Sequence, residues 1–190
     1  MSFIIPSELG FDSTGYEQMI MPYTPLKAKI LVNDILTKEQ YEKKMFEQEE
    51  QRKAEAERMA ALEKTMISDY VAKNAIVERP TESGLYIIRN EEGNGELAQW
   101  GDAVKVHYVF YNLKGDFVES SYDYEPLPFT IGQGEMILAI EEAVMTMKQG
   151  AKVRLIAPSK LAFGEYVIDP DLLPAYSPLI IDLELVEVKK

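Results

Sequence analysis

Residues 101–121 read GDAVKVHYVFYNLKGDFVESS, and this stretch decides the fold. Between 103 and 112 (AVKVHYVFYN) the side chains alternate as they do along a long half-buried strand. Lys114-Gly115 marks a tight turn, and FVESS continues extended beyond it. Because successive strand side chains point to opposite faces, His107 must face away from Tyr108. That favours a structural histidine over a general base.

The neighbouring signals complete a domain. Upstream, SGLYIIR reads as a short strand, and Glu91-Glu92 with Gly93-Asn94-Gly95 as a solvated turn, too short for a phosphate loop. Downstream, PFTIG is a strand, and 136–147 reads as a short helix with Ile137, Ile140, Val144 and Met147 on one face, stopped by Gly150. AKVRLIAP is a strand, followed by a Pro-bounded loop and LIIDLELVEV. In that last run Leu179, Ile181, Leu183 and Leu185 share a face, and Asp182 and Glu184 take the other. Strands around one central helix predict an α+β fold, an antiparallel sheet wrapped over the helix.

A repeat organises the rest. The opening MSFIIPSELGF is echoed by VRLIAPSKLAF, and Ile20-Met21-Pro22-Tyr23-Thr24-Pro25-Leu26 by Leu172-Leu173-Pro174-Ala175-Tyr176-Ser177-Pro178-Leu179, one residue shorter in the first copy. FIIP reads as the end of a strand, GFDSTGYEQ as a loop and AKILVNDI as a second strand. Two strands are too few for an independent core. Between the copies, from about Thr37 to Asn74, Gly and Pro are absent and helix formers dominate. Thr37 and Gln40 form a capping-box signature, and Glu39–Lys43 and Glu49–Lys53 have favourable i,i+4 order. An unbroken helix of this length spans roughly 55 Å. Apolar residues cluster near its ends, at Tyr41 and Met45, then at Met59, Leu62, Met66 and Tyr70. This predicts a solvated spacer with packed ends, with self-association through the second stripe as the alternative.

Composition excludes several classes. With a net charge of -12, the chain lacks the basic footprint of a nucleic-acid binder and would be repelled by an anionic membrane surface. It contains no Cys and one His, so neither disulfides nor thiolate chemistry is available and a transition-metal site is not expected. No cofactor is implied. No stretch has the length and apolarity of a membrane span, and the first residues do not form a signal peptide.

The stretch opening at Gly101 resembles the start of the FKBP-type peptidyl-prolyl isomerases, close to G-D-x-V-x-V-H-Y-x-G-x-L-x-D-G-x-x-F-D-S-S. PFTIGQGEMILAIEEAVMTMKQGAKVRLIAPSKLAFG and LLPAYSPLIIDLELVEV resemble its continuation and ending. By the same resemblance, residues 3–35 look like the last third of another FKBP domain whose front is absent. The expected organisation is therefore a C-terminal fragment of an FKBP-like domain at 1–35, a charged helical linker at 36–79 and a complete FKBP-like domain at 80–190. The opening phrase would then mark a truncated second domain. Its unpaired strand edges must fray, lean on the complete domain or pair with another chain.

The resemblance implies rotation of X-Pro bonds of polypeptides between cis and trans. The barrier is about 18–20 kcal/mol, and the twisted amide carries less charge separation than the planar one. An apolar bowl that holds the proline ring therefore favours the transition state over the ground state, with no nucleophile or metal. The resemblance gives catalytic roles to Tyr108, to Glu119 (where the family has Asp), to Ile137 through its backbone N–H, and to Phe163 (where the family has a Tyr hydroxyl). It places Val118, Leu127, Phe129, Met136, Ile140, Leu172, Leu173 and Ile181 around the substrate. Ile140 replaces a Trp that floors the pocket, and Ile181, Leu127 and Val118 each replace a Phe. These departures predict a wider, softer pocket and weakened activity. A lost hydrogen-bond donor alone costs about 0.5–1.5 kcal/mol. The alternative is a non-catalytic chaperone or protein-binding module using the same pocket, or a domain that caps the long helix as a spacer. YVAKN at 70–74 with PTESGLYI resembles the lead-in of FKBP-like envelope proteins of Bacteroidetes-type bacteria, which implies a periplasmic or envelope location, with the cytoplasm as alternative.

Overall fold

The chain opens on two short strands, β1 (Ser2–Ile5) and β2 (Leu26–Lys29), paired antiparallel from Ser2↔Lys29 to Ile5↔Leu26. The computed structural model describes residues 2–11, 13, 19–32 and 34–190. Most of the loop read from GFDSTGYEQ, and Asn33 of AKILVNDI, therefore lie outside the described residues. The second strand is shorter than AKILVNDI, because only Ala28 and Lys29 of that run are paired. Two compact units are present, Met1–Glu49 and Glu50–Lys190. The division between them falls within a long helix.

That helix, α1 (Lys38–Lys73), starts where the capping box places it. The Thr37 N–H donates to Gln40 Oε1 at 2.9 Å and the Gln40 N–H to Thr37 Oγ1 at 3.2 Å, so each satisfies the other's backbone donor. Lys38–Glu42 and Lys43–Glu47 are exposed i,i+4 ion pairs, each worth a few tenths of a kcal/mol (about 0.3–0.5). The packed face differs in part from the one predicted: Met59 and Tyr70 are half-buried, but its middle members are not. Leu62 and Met66 are half exposed, and Glu63 and Ile67 are the buried residues. The reason is a polar contact invisible in the apolar pattern. The Glu63 carboxylate accepts the Ser159 N–H, and its Oε2 accepts the Ser159 hydroxyl at 2.9 Å.

The rest of the larger unit is a six-stranded antiparallel sheet over one short helix. Its strands are β3 (Tyr86–Glu92), β4 (Ala103–Tyr111), β5 (Phe117–Ser120), β6 (Leu127–Thr130), β7 (Ala151–Ala157) and β8 (Leu179–Lys189), in the order β3-β7-β8-β4-β5 with β6 also on β4. β4 pairs along its length with β8, and its other edge is shared: β6 takes Ala103 to Val106 and β5 takes Val109 to Tyr111. The predicted faces hold. Leu179, Ile181, Leu183 and Leu185 are all buried, whereas Asp182 bonds Arg154 across to β7. α2 (Leu138–Val144) is shorter than predicted because Ile137 is extended (φ -61°, ψ 143°) and serves as its N-cap, while Thr146 and Met147 close the far end as turns.

Candidate active site

Tyr108 lies at the level of β4 where β6 has ended and β5 has not yet begun, so its backbone needs another partner. Ser121 supplies it. The Ser121 hydroxyl accepts the Tyr108 N–H at 2.8 Å, and the Ser121 N–H donates to the Tyr108 carbonyl at 3.0 Å. This is the structural use of the second serine in ESS. His107 points to the other face, where its ring stacks on Tyr122 at 4.4 Å and Nδ1 meets Ser121 Oγ at 3.1 Å. It has no place among the site residues.

On the helix face, Tyr108 Oη donates to Glu119 Oε1 at 2.9 Å. Partial burial, followed by the adjacent Glu119 carboxylate, pushes the phenol up to about 12, so it remains a donor throughout the physiological range. Glu119 stands opposite Phe110 in the β4–β5 pairing, which is what brings the longer acid within reach. Ile137 and Met136 are partly buried against the core. As the N-cap of α2, Ile137 accepts from Ile140 and Glu141 through its carbonyl. Its own N–H has no acceptor among the described residues, as expected for a first-turn donor. Phe163 follows the 3-10 turn Ser159–Leu161 and is partly exposed.

The remaining expected residues divide by depth. Val118, Leu127 and Met136 are partly buried, and Leu172 is 37% exposed. Phe129 is core. Ile140, Leu173 and Ile181 have 0%, 1% and 0% of their surface accessible. Those three lie beneath the accessible surface, in the same core cluster as Phe110. Phe110 belongs to the same buried layer. It is 4% exposed, its ring stacks on Tyr108 at 4.4 Å and 22°, and it meets Phe163 edge-on at 6.0 Å and 79°. The motif that carries the family resemblance has Gly at this position, and that one-residue departure was the signal available in the sequence. Asn112 was also passed over. Buried at 8%, it donates to Asp116 Oδ2 and to the Leu172 carbonyl and accepts from the Lys114 and Asp116 N–H groups, tying the β4–β5 turn to the loop carrying Leu172.

No group of His, Asp or Glu among the described residues is arranged to hold a metal. The arrangement is an apolar wall with a free backbone donor and a tyrosine hydroxyl at its rim. It suits binding and distortion of a peptide better than covalent chemistry.

The family of FKBP-type peptidyl-prolyl cis-trans isomerases matches residues 94–186. The chain is 39% identical over 112 residues to FK506-binding protein 1A of Neurospora crassa, covering 58% of this chain and 92% of that protein. It is 36% identical over 141 residues to the isomerase FkpA of Aeromonas hydrophila, spanning 73% of this chain but only 51% of FkpA. Among solved structures, FkpA from Escherichia coli superposes with a TM-score of 0.59 at 28% identity, over 81% of this chain and 74% of that one. A peptidyl-prolyl cis-trans isomerase from Pseudomonas syringae gives 0.59 at 26%, over 70% and 96%. The chain belongs to the FKBP-type peptidyl-prolyl cis-trans isomerases. It is an isomerase of proline-containing polypeptides, and no helix among its described residues is long and apolar enough to cross a membrane.

Proposed function

We propose that isomerisation takes place on the surface formed by Tyr108, Glu119, Ile137 and Phe163, and that the protein assists folding of proline-containing chains. The observation that carries this assignment is the unpaired Ile137 N–H beside an apolar wall. A substrate carbonyl accepting that N–H is fixed on one side of the X-Pro bond while the ring rests on apolar side chains. The planar amide loses water that its larger dipole used, the twisted one loses less, and the barrier falls by the difference. Glu119 holds the Tyr108 hydroxyl at the rim and thereby orients it. The site offers a substrate no hydroxyl at 163, so turnover is weaker than in a member with tyrosine there. Exchange spectroscopy by NMR on a panel of Xaa-Pro peptides tests the reading. Catalysed exchange, with shifts at Tyr108 and Ile137, is expected. Shifts at those residues without exchange would leave the binding-module reading instead.

The remaining organisation is also proposed. Residues 1–35 form a partial FKBP-like repeat, 36–79 a helical linker and 80–190 the complete domain. Support comes from matched local geometry. Pro6 (φ -56°, ψ 152°) corresponds to Pro158 (-58°, 148°), Gly10 (-115°, -120°) to Ala162 (-117°, -110°), and Tyr23 and Tyr176 share a positive φ of 58° and 59°. The pairing of Ile5 with Leu26 likewise corresponds to that of Ala157 with Leu179. Self-association through Leu62 and Met66 or through the edges of β1–β2, and an envelope location, rest respectively on exposure and on the resemblance around residues 70–74. Sedimentation with and without Leu62→Glu tests the first.

A further inference from the structure

Phe110 is the residue in this site that the family pattern does not provide for. It lies on the inward face of β4 two residues beyond Tyr108, opposite Ile181 on β8 and Glu119 on β5. Its ring lies between Tyr108 and Phe163, stacked on the first and edge-on to the second. Beneath these two rings, Ile140, Leu173 and Ile181 are sealed in the same contiguous core cluster as Phe110. With Gly at 110 the strand would present only backbone there, and the space between the two outer rings would be open towards the helix.

We propose that Phe110 sets the depth of the substrate site, making it a shallow seat that accepts the five-membered ring of proline and rejects larger cyclic imino acids and bulky ring ligands. This rests on the assignment of the site to Tyr108, Ile137 and Phe163, and it specifies the substrate class that site takes. The physical basis is packing. A close-packed interior has no room for an added methylene without displacing a neighbour, and Phe110 is held on two sides by aromatic contacts that such a displacement would break. A six-membered imino acid carries one methylene more than proline and must press against this ring. In an apolar pocket one methylene is worth about 10–200-fold in discrimination.

The experiment compares two otherwise identical peptides, one with proline and one with pipecolic acid at the imino position, by NMR titration against the intact chain. The expected result is a dissociation constant at least about tenfold lower for the proline peptide, falling to within about threefold in Phe110→Gly. Phe110→Leu, which keeps most of the apolar volume, should fold more readily and give an intermediate ratio. Equal affinities for the two peptides in the unsubstituted protein would overturn the proposal, as would an unchanged ratio in a folded Phe110→Gly or Phe110→Leu. Because the readout is a ratio of affinities, it stands even if exchange measurements find no turnover. Shifts located away from Tyr108, Ile137 and Phe163 would instead overturn the site assignment.

Discussion

Replacing Glu63 by Ala removes the side-chain acceptor that, among the described residues, serves two donors of Ser159, its backbone N–H and its hydroxyl, the latter bonded at 2.9 Å. Glu63 is 6% and Ser159 4% exposed, so neither donor gains water freely when the carboxylate is gone. A buried donor left unpaired costs about 1–3 kcal/mol. The contact borders an apolar groove of about 590 Å³ lined by Ala56, Ala60, Ile67 and Tyr176. Water entering it can serve one of the two donors, so the expected loss is about 1–3 kcal/mol in all, or a melting temperature lower by roughly 3–10 °C. Trp100, the chain's single tryptophan, lies in the same unit, so its fluorescence during urea unfolding reads that unit specifically. Glu63→Gln keeps an acceptor and should lose less. The two variants also fix the sign of a pH effect. Burial holds the Glu63 carboxyl above its ordinary range, against the lowering effect of its bonds from Ser159 and of the Lys160 charge. The folded state therefore binds this proton more tightly than the unfolded state. The resulting stability is fully present below the ordinary glutamate value and is lost as pH rises through the raised one. The advantage of the unsubstituted protein over Glu63→Gln should accordingly grow as pH is lowered from about 7 to about 4. Unfolding of Glu63→Ala within about 0.5 kcal/mol of the parent, or an advantage that grows with rising pH, would refute the reasoning.

Tyr108→Phe should subtract no tyrosinate absorbance below about pH 11, since burial and Glu119 hold this phenol at about 12; a difference titrating near 10 would show the Glu119 contact is not made. Gly132→Ala places a methyl against the Trp100 indole at φ +90°, whereas Gly134→Ala at φ +70° meets nothing within 4 Å. Both should lose about 1–3 kcal/mol, but only the first should shift Trp100 emission in the native protein. Phe110→Gly with Ile140→Trp should couple, the double variant being at least about 1 kcal/mol more stable than the sum of the single changes predicts, as measured by the same unfolding assay.

The sheet was legible because its information is local and periodic. Within β8 the run from Ile181 to Leu185 alternates buried and half-buried side chains, and in β4 so does the run from Val104 to His107. The start of α1 was legible for the same reason, since Thr37 and Gln40 are three residues apart and satisfy each other. What the pattern missed were long-range polar contacts. An apolar stripe at Met59, Leu62, Met66 and Tyr70 is a sound reading of periodicity. It holds at Met59 and Tyr70 but not between them, where the Glu63 carboxylate, 96 positions from Ser159, turns inward to bond it and leaves Leu62 and Met66 half exposed. The site divides the same way. Motif spacing names Tyr108, Glu119 and Ile137, and the first two are hydrogen-bonded to each other while the third caps α2. It names Ile140, Leu173 and Ile181 as well but does not reveal depth, and these three lie in the core.

Depth depends on volume summed over several positions, and here the changes offset one another. Ile140 and Ile181 each stand where the family has an aromatic side chain, so two rings are lost from the inner layer. Phe110 stands where it has Gly, so one ring enters the same layer from the strand between Tyr108 and Phe163. Each change read alone predicts a cavity or a clash. Together they keep the core filled, as the accessibility of 0% at Ile140 and Ile181 and 4% at Phe110 requires. Cores tolerate simultaneous apolar substitutions when total volume is kept, so the fold does not register where the aromatic mass resides. The ligand does, because a ring moved from the helix floor to the strand wall changes the shape of what remains open. On the proposed site, these departures move aromatic mass to Phe110 and do not simply remove it.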